Sequence, residues 1–455
     1  MISENIFREY DIRGIVGDHL TDETVGTLAS AIGSFFVKNG ARRIAIGYDA
    51  RVSGPRYRDL LTEGFRNCGI DVVLIGMVPT PVLYHTVYTR DVDGGVMITG
   101  SHNPPDHNGF KICLGKAALF GSQIQEIKQI ALSGDFASSG DGTLEMFEVL
   151  DEYCTDLLSR LSLGPRRIRA VIDAGNGMGG LTAVPIYRNL GIDLVELYTE
   201  PDSTFPNHHP DPTVEENLDD LIAVVKENSA DIGLAFDGDA DRIGVVDETG
   251  RIIWGDELMI LLSREVLQNN PGATIIGEVK CSQTLFDDIE KHGGQPLMWK
   301  AGHSLIKAKM KETSAALAGE MSGHIFFADR FYGFDDATYA GARVLEILSK
   351  TDKKLSELLA DIPKTFTTPE IRVDCADEKK FDVVRNIAEH FKGEGYEVNT
   401  TDGARILFDD GWGLVRASNT QAILVLRFEA DSNEHLRAIR KIVESQISVF
   451  LSDDR

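Results

Sequence analysis

Residues 99–111 read Thr99-Gly100-Ser101-His102-Asn103-Pro104-Pro105-Asp106-His107-Asn108-Gly109-Phe110-Lys111, and they follow the apolar run Gly95-Val96-Met97-Ile98. The apolar run predicts a buried strand, and the Gly, Ser, Asn and Pro residues after it predict a loop. The hydroxyl of Ser101 stands beside the imidazole of His102. A serine on a rigid turn at the end of a strand is suited to be a nucleophile or a group carrier. An ordinary Asn-Pro turn, whose polar side chains only cap backbone groups, explains the same residues.

Strand-like apolar runs alternate with amphipathic helical stretches through the first two-thirds of the chain. The runs are residues 43–49, 169–173, 232–237 and 274–279. This alternation predicts α/β units with ligand groups at the carboxyl ends of the strands.

The size and composition of the chain set limits on its class. It has 455 residues, 42% of them hydrophobic and 26% charged, which predicts a protein of several globular domains. Its net charge of -25 argues against general nucleic-acid binding. We expect no membrane span and no signal peptide, and therefore a cytoplasmic protein. The five cysteines are widely spaced, which predicts reduced, mostly structural thiols.

Three changes of pattern predict domain boundaries. Residues 133–143 are rich in Gly, Ser and Asp, residues 247–251 look like a hairpin turn, and residues 363–369 begin and end with proline. The last 85 or so residues predict a small α+β domain that closes with a helix over residues 432–451. We therefore predict domains over residues 1–150, 151–252, 253–367 and 368–455.

The segment Asp237-Gly238-Asp239-Ala240-Asp241-Arg242 places three carboxylates at alternate positions after a buried strand. They would repel one another unless a cation gathers them, and ligands that are all oxygen favour Mg²⁺. An EF-hand loop is excluded, because its sixth position would be glycine and here it is Arg242. Two alternatives stay open, an aspartyl-phosphate site of the haloacid dehalogenase type and a solvated acidic turn.

The stretch TGSHNPPDHNGFK resembles the phosphoserine loop of the α-D-phosphohexomutases, in the phosphomannomutase/phosphoglucomutase branch. The resemblance implies three similar mixed α/β domains plus a smaller C-terminal α+β domain around a central active-site cleft. In that order the domains would carry the phosphoserine loop, the metal, the sugar and a phosphate. It implies that Ser101 carries a phosphoryl group and that Asp237, Asp239 and Asp241 hold Mg²⁺ with it.

Two N-terminal segments are similar to further motifs of the family. Tyr10-Asp11-Ile12-Arg13-Gly14 resembles its YDIRG segment, which implies that Arg13 lies near the transferring phosphoryl group and that Tyr10 lies in the substrate site. Residues 49–54 resemble its DxRxSG turn, so that Arg51 would help to hold the floor of the site. By the same resemblance, His102, Lys111 and Arg242 belong to the catalytic group.

The segment Gly319-Glu320-Met321-Ser322-Gly323-His324 resembles the sugar-binding loop of the family in its mannose/glucose form. A carboxylate and a hydroxyl two residues apart, here Glu320 and Ser322, can bond vicinal sugar hydroxyls. His303 and His324 are expected nearby, and Lys280 would add positive charge. By composition a helix-capping loop stays equally possible.

The segment Arg416-Ala417-Ser418-Asn419-Thr420 resembles the phosphate-binding loop RxSNTxP of the family. Arg416 can grip a phosphate bidentately, and Ser418, Asn419 and Thr420 add hydrogen bonds. Ala422 stands where the family pattern has proline, which predicts a less rigid loop.

Together these motifs imply the reversible interconversion of hexose 1-phosphates and hexose 6-phosphates, of mannose or glucose, with hexose 1,6-bisphosphate as intermediate and activator. The expected ligand is a small phosphosugar, and neither nucleic acid nor a membrane is expected as a partner. A phosphoglucosamine mutase, a non-catalytic sugar-phosphate-binding protein and a phosphatase that uses Asp237 are the alternatives. Neither the preferred sugar, nor the general acid or base, nor the oligomeric state follows from the sequence.

Overall fold

Four separate β-sheets organise the chain in a computed structural model that describes residues 2–418 and 422–452. The first three sheets mix parallel and antiparallel strands, and the fourth is antiparallel throughout the described residues. This confirms the predicted class of three mixed α/β domains followed by a smaller α+β domain. The domain boundaries themselves stay predictions.

The first sheet carries the Ser101 loop at the end of its fourth strand. Its elements are β1 (Ile12–Ile15), α1 (Asp22–Lys38), β2 (Arg43–Tyr48), α2 (Gly54–Asn67), β3 (Asp71–Met77), α3 (Thr80–Thr89), β4 (Gly94–Ile98), β5 (His107–Leu114), β6 (Ala117–Ala118), α4 (Ser122–Ser133) and β7 (Leu144–Met146). The main path of the sheet runs β1-β5-β4-β2-β3-β7. The loop is shorter than predicted, because β5 already begins at His107 and pairs with β4 on one side and β1 on the other. These two ladders satisfy the backbone of β5 and place Lys111 in a strand, opposite Met97.

The second sheet carries the three alternating carboxylates. Its domain contains α5 (Leu150–Ser159), β8 (Arg169–Asp173), α6 (Gly180–Asn189), β9 (Asp193–Leu197), α7 (Asp219–Glu227), β10 (Ile232–Phe236), β11 (Ile243–Asp247) and β12 (Ile252–Ile253). The predicted hairpin turn at residues 247–251 is confirmed, since β11 pairs antiparallel with β12. The Asp247 side chain accepts hydrogen bonds from the N–H groups of Thr249 and Arg251, and Gly250 supplies a φ of 87°.

The third sheet supports the predicted sugar loop. Its elements are α8 (Gly255–Asn269), β13 (Thr274–Glu278), α9 (Gln283–Lys291), β14 (Gln295–Trp299), α10 (His303–Thr313), β15 (Leu317–Gly319), β16 (Ile325–Phe327), α11 (Ala337–Ser349) and α12 (Leu355–Leu358). Residues 320–324 form the tight connection between β15 and β16, which are antiparallel neighbours.

The fourth sheet is covered by two long helices. Its elements are β17 (Phe366–Thr367), β18 (Ile371–Asp374), α13 (Lys380–Gly393), β19 (Glu397–Asn399), β20 (Ala404–Phe408), β21 (Gly411–Ala417), β22 (Ile423–Ala430) and α14 (Asn433–Ser452). The helix predicted over residues 432–451 is α14, displaced by one residue at each end.

The apolar cores show which domains pack against one another. One continuous core joins side chains of the first three domains, whereas the C-terminal domain has a core of its own. A small cluster of Val279, Trp412 and Leu414 connects the C-terminal domain to the third. The five cysteine thiols are free and are buried or half-buried, as predicted. Among the described residues no helix is both long enough and apolar enough to cross a membrane.

Candidate active site

Ser101 lies at the first turn of the loop after β4, and its side chain is buried. Its φ is 49°, in the left-handed region that a residue with a Cβ rarely adopts. Its N–H donates to Oγ1 of Thr99 over 2.8 Å, and its Oγ donates to Oδ2 of Asp237 over 2.9 Å. The loop therefore holds this hydroxyl against the second domain in a backbone conformation that needs support.

Arg51 supplies this support from beneath the loop. Its guanidinium is almost fully buried and donates to the carbonyl oxygens of Ser101, Asn103, Pro104 and His107 over 2.5–2.9 Å. Its charge is balanced by Asp49, which accepts from Nε over 3.2 Å. One planar side chain thus fixes four carbonyl groups of the loop.

The carboxylates of Asp237, Asp239 and Asp241 follow β10 and are fully buried. One oxygen of each lies within 4.8 Å of the others, so that the three converge on one point beside Ser101. Lys111 reaches the same point, with Nζ donating to Oδ2 of Asp239 over 2.8 Å and forming a second ion pair with Asp241.

The charges of this cluster are not balanced by Lys111. Burial raises the pKa of Asp237 well above its usual range, and the charges of Asp241 and Asp239 raise it further. Burial and Asp239 likewise raise the pKa of Asp241. Burial opposes ionisation of Asp239 too, but the charge of Lys111 lowers the pKa of Asp239 below its usual range. Although burial opposes its charge, the neighbouring carboxylates raise the pKa of Lys111.

The donor set fits a hard divalent cation. Within the described residues no hydrogen-bond donor reaches Oδ1 of Asp239 or Oδ1 of Asp241, although both atoms are buried. Buried carboxylate oxygens without a partner are costly, and a cation bound by oxygen ligands would satisfy them and remove the mutual repulsion.

Cationic and imidazole groups surround Ser101 on the side of the cleft. Arg13 donates to Oδ2 of Asp11 over 2.6 Å and also bonds Oδ1 of Asn103. Nε of Arg242 lies 3.4 Å from Oδ2 of Asp237, and burial lowers the pKa of Arg242 to about 10. Nδ1 of His102 lies 3.1 Å from Oγ of Ser101.

Two imidazoles stack beside the cluster. The rings of His303 and His324 lie 5.6 Å apart, 25° from parallel. Nδ1 of His324 lies 3.1 Å from Oδ2 of Asp335, close enough for a charge contact although not aligned for a hydrogen bond. Asp335 also accepts from Nζ of Lys307 over 2.7 Å. Burial, assisted by the charge of Lys307, lowers the pKa of His303 well below its usual range, so this imidazole is neutral at neutral pH.

Glu320 fixes the loop between β15 and β16. Its Oε1 accepts from the N–H of Gly302 over 2.5 Å, and its Oε2 accepts from Oγ of Ser322 over 3.3 Å. Behind it, buried Glu278 accepts from the N–H of Met321 over 3.4 Å, and its Oε1 lies 3.8 Å from Nζ of Lys280. Carboxylate, hydroxyl and ammonium groups therefore share one side of the site.

Arg416 lies next to the site, on the C-terminal domain. Its Nε donates to Oδ2 of Asp402 over 2.6 Å, and the same oxygen accepts from the N–H of Ala301 over 3.1 Å. The carbonyl of Ala301 in turn accepts from the hydroxyl of Tyr10 over 3.0 Å. The first, third and C-terminal domains therefore meet at Ala301. The N–H of Ser418 donates to the β22 carbonyl at residue 423. The predicted phosphate ligands at positions 419 and 420 lie outside the described residues.

A cavity of about 570 Å³ joins these groups. Predicted site residues in its lining are Tyr10, Arg13, Ser101, His102, Lys111, Arg242, His303 and His324. The carboxylates of the cluster lie beneath its floor. Glu320 adjoins the cavity through His324, whose Nε2 is 4.0 Å from Oε2 of Glu320, and it also accepts from the N–H of Gly302, which precedes the lining residue His303. Lys280, Ser322, Arg416 and Ser418 do not line it.

The sequence did not predict several residues of the site. They are Arg8, His19, Glu278, Lys307, Asp335, Arg372 and Asp402. For Glu278 and Asp335 a signal existed, since each is a charged residue within or next to an apolar run. The others lie in ordinary polar stretches, and only the fold brings them to the site.

Comparisons with protein families match the chain along almost its whole length. The description "Phosphoglucomutase/phosphomannomutase, alpha/beta/alpha domain" matches residues 4–138 as domain I, 151–250 as domain II and 254–366 as domain III. The C-terminal domain of the same family matches residues 370–446.

Similar proteins cover the chain from end to end. The phosphomannomutase/phosphoglucomutase of Pseudomonas aeruginosa is 47% identical over 444 residues, covering 97% of this chain and 95% of that one. The phosphoglucomutase of Neisseria meningitidis serogroup A is 47% identical over 442 residues, 96% of either chain. The crystal structure of a phosphoglucomutase/phosphomannomutase family protein from Burkholderia thailandensis has a TM-score of 0.94 and 45% identity, and covers 99% of both chains.

Proposed function

The chain belongs to the phosphoglucomutase/phosphomannomutase family of isomerases, and we propose that it interconverts hexose 1-phosphates and hexose 6-phosphates through a phosphoryl group carried on Ser101. The proposal rests on the position of the Ser101 hydroxyl. Oγ of Ser101 is buried at the floor of the cleft, 2.9 Å from the carboxylate of Asp237, in a loop that Arg51 fixes. A transferable phosphoryl group needs a fixed carrier, a cluster of positive charge and little water.

The proposed reaction has two symmetric halves. The free hydroxyl of a hexose monophosphate attacks the phosphorus on Ser101. The bond from phosphorus to the serine oxygen breaks, and the bond from phosphorus to the sugar oxygen forms. The sugar hydroxyl proton passes to an imidazole, and the released serine oxygen takes up a proton and becomes a hydroxyl again. The product, hexose 1,6-bisphosphate, turns round in the cleft and returns its other phosphate to Ser101. Because His303 and His324 stack on each other and both line the cavity beside the cluster, we assign the proton to this pair.

The carboxylates of Asp237, Asp239 and Asp241 would hold Mg²⁺, with an oxygen on Ser101 as a further ligand. The ion would neutralise charge on the transferring group and polarise it. Arg13, Arg242 and the β5 lysine contribute positive charge from the chain itself. If the site is a magnesium site, removal of divalent cations with a chelator abolishes activity, and added Mg²⁺ restores it. Full activity in the chelator would contradict it.

We assign recognition of the sugar to Glu320 and Ser322, because a carboxylate and a hydroxyl can bond neighbouring sugar hydroxyls in either orientation of the ligand. Lys280, Arg416 and Ser418 would bind the phosphate that is not reacting, together with the two predicted ligands outside the described residues. The measurement that ranks the candidate substrates is kcat/KM for mannose, glucose and glucosamine phosphates under one set of conditions. A preference for glucosamine phosphate would contradict the assignment of the sugar loop.

The decisive experiment replaces the carrier. The wild-type protein is incubated with glucose 1,6-bisphosphate, and the intact mass and the phosphorylated peptide are measured. We expect one added phosphate on the peptide that contains Ser101. Ser101→Ala should lose both the phosphate and the mutase activity, whereas the control Ser30→Ala, on α1 and not among the residues that line the cavity, should keep both. Undiminished turnover by Ser101→Ala refutes the proposal, and rapid release of inorganic phosphate without isomerisation favours a phosphatase.

A further inference from the structure

The cationic side chains that line the cleft differ in how many carboxylates of the protein they pair with. Lys111 is held by two carboxylates, and Arg13 is held by Asp11. Arg242 is buried between Asp211 and Asp237, at 3.6 and 3.4 Å. These groups surround Ser101 at the inner end of the cavity, where the phosphoryl group would be transferred.

Arg372 lines the same cavity from the C-terminal domain, on β18. Its side chain is 62% exposed, and its ion-pair partner is Glu370, whose Oε1 lies 3.4 Å from Nη2. Glu370 stands two positions earlier and is shared, because its Oε2 also lies 3.7 Å from Nζ of Lys280. Glu370 can therefore keep one cationic partner when the guanidinium of Arg372 turns towards a ligand.

The side chains that line the cavity carry mostly positive charge. Its charged side chains other than imidazoles are five cations and a single carboxylate, Asp11, which is already paired with Arg13. A hexose bisphosphate carries two phosphates, and only one of them can lie at Ser101 at any moment. The other phosphate lies towards the opposite side of the cavity, where Arg372 is the cation that the C-terminal domain contributes to the lining described here.

We propose that Arg372, in addition to Lys280 and Arg416, binds the outward phosphate of the bisphosphate intermediate from the cavity side and thereby keeps this intermediate in the cleft while it turns round. This inference rests on the proposed function. An exposed, planar guanidinium can form two parallel hydrogen bonds to a phosphate and can follow it as it moves. Arg372 is thus a residue that governs how often the intermediate escapes before the second transfer.

The test compares Arg372→Gln with Arg385→Gln. Arg385 is an equally exposed arginine of the same domain, also 62% exposed and paired with a neighbouring carboxylate, and it does not line the cavity. Each protein is first phosphorylated with glucose 1,6-bisphosphate and then mixed with excess glucose 1-phosphate. The bisphosphate that appears in solution per turnover is measured, together with the activator concentration that gives half-maximal activity.

We expect Arg372→Gln to raise both quantities roughly tenfold, the effect of losing a charge-assisted hydrogen bond at an exposed site. Arg372→Lys should restore part of the retention, and Arg385→Gln should match the wild type. Equal escape from Arg372→Gln and Arg385→Gln overturns the inference. A wild-type protein that neither takes phosphate on Ser101 nor isomerises the sugar phosphate would instead overturn the proposed function.

Discussion

Replacement of Arg51 by lysine should damage both the stability of the first domain and the reaction. The guanidinium donates to four loop carbonyls and to Asp49, and it is 1% exposed. A lysine keeps the charge and three donors, but its single nitrogen cannot reach carbonyls spread along residues 101–107. At least two of these carbonyls, which face the buried guanidinium, then lose their partner, and each costs about 1–3 kcal/mol. We expect a loss of about 2–6 kcal/mol in the free energy of unfolding.

The effect on activity follows from the backbone of Ser101. Its left-handed conformation costs on the order of 1–3 kcal/mol, and Arg51 holds its carbonyl in place over 2.9 Å. Without this contact the serine relaxes, and a displacement of about 1 Å in a phosphoryl carrier lowers turnover on the order of 100-fold.

The assay is urea denaturation, with the midpoint of the first transition as the readout, together with kcat at saturating substrate and bisphosphate. Arg56→Lys is the matched control, because Arg56 is an exposed arginine of the same domain whose guanidinium pairs with Asp22. It should leave both quantities unchanged. If Arg51→Lys keeps the wild-type midpoint and a kcat within about twofold, which is less than 1 kcal/mol, the guanidinium does not hold the loop.

Two further changes test other parts of the site. Asp402→Ala removes the carboxylate that orients Arg416 and accepts from the N–H of Ala301. KM for the sugar phosphate should therefore rise roughly tenfold while kcat changes less. An unchanged KM would contradict a role of Asp402 in orienting Arg416. Burial raises the pKa of Asp336 to about 7, so the folded protein holds a proton that the unfolded chain releases above about pH 4. The contribution of Asp336 to the free energy of unfolding therefore falls between about pH 4 and 7, and the stability of Asp336→Asn should rise relative to that of the wild type across this window by up to about 4 kcal/mol. Denaturation midpoints at pH 5 and pH 8 measure the difference, and equal differences at both would refute this account.

The features that the sequence predicted are local in the chain. Asp237, Asp239 and Asp241 follow a strand whose apolar character is visible without any structure, and their alternate spacing brings the carboxylates to one side. The Ser101 loop was expected for the same reason. Its end was misplaced, because the pairing that turns His107 and its successors into a strand comes from β1, almost a hundred residues earlier.

The features that the sequence did not predict depend on distant partners. Asp402 contacts Ala301, 101 residues away, and Glu278 contacts Met321, 43 residues away. Neither carboxylate stands in a recognisable motif. Each matters because the fold brings a distant backbone N–H to it, from the third domain for Asp402 and from another loop of the same domain for Glu278. The roles given to the site residues are predictions from their positions, and the variants above are the measurements that test them.

The chain has a net charge of -25, yet its proposed ligand is an anion. The two are compatible because the negative and positive side chains of the site lie at different depths. The carboxylates of the cluster lie under the floor of the cleft, where two of them pair with Lys111, while the charged or imidazole side chains that line the cavity are, apart from Asp11, those of Arg, Lys and His. An approaching phosphate therefore meets positive charge first, and the surrounding acidic surface disfavours its presence elsewhere on the protein. Arg372, at the C-terminal side of the cavity, is the cation whose loss should weaken this attraction without touching the transfer site. The salt dependence of kcat/KM should therefore become shallower in Arg372→Gln, and a dependence as steep as that of the wild type would place the attraction elsewhere.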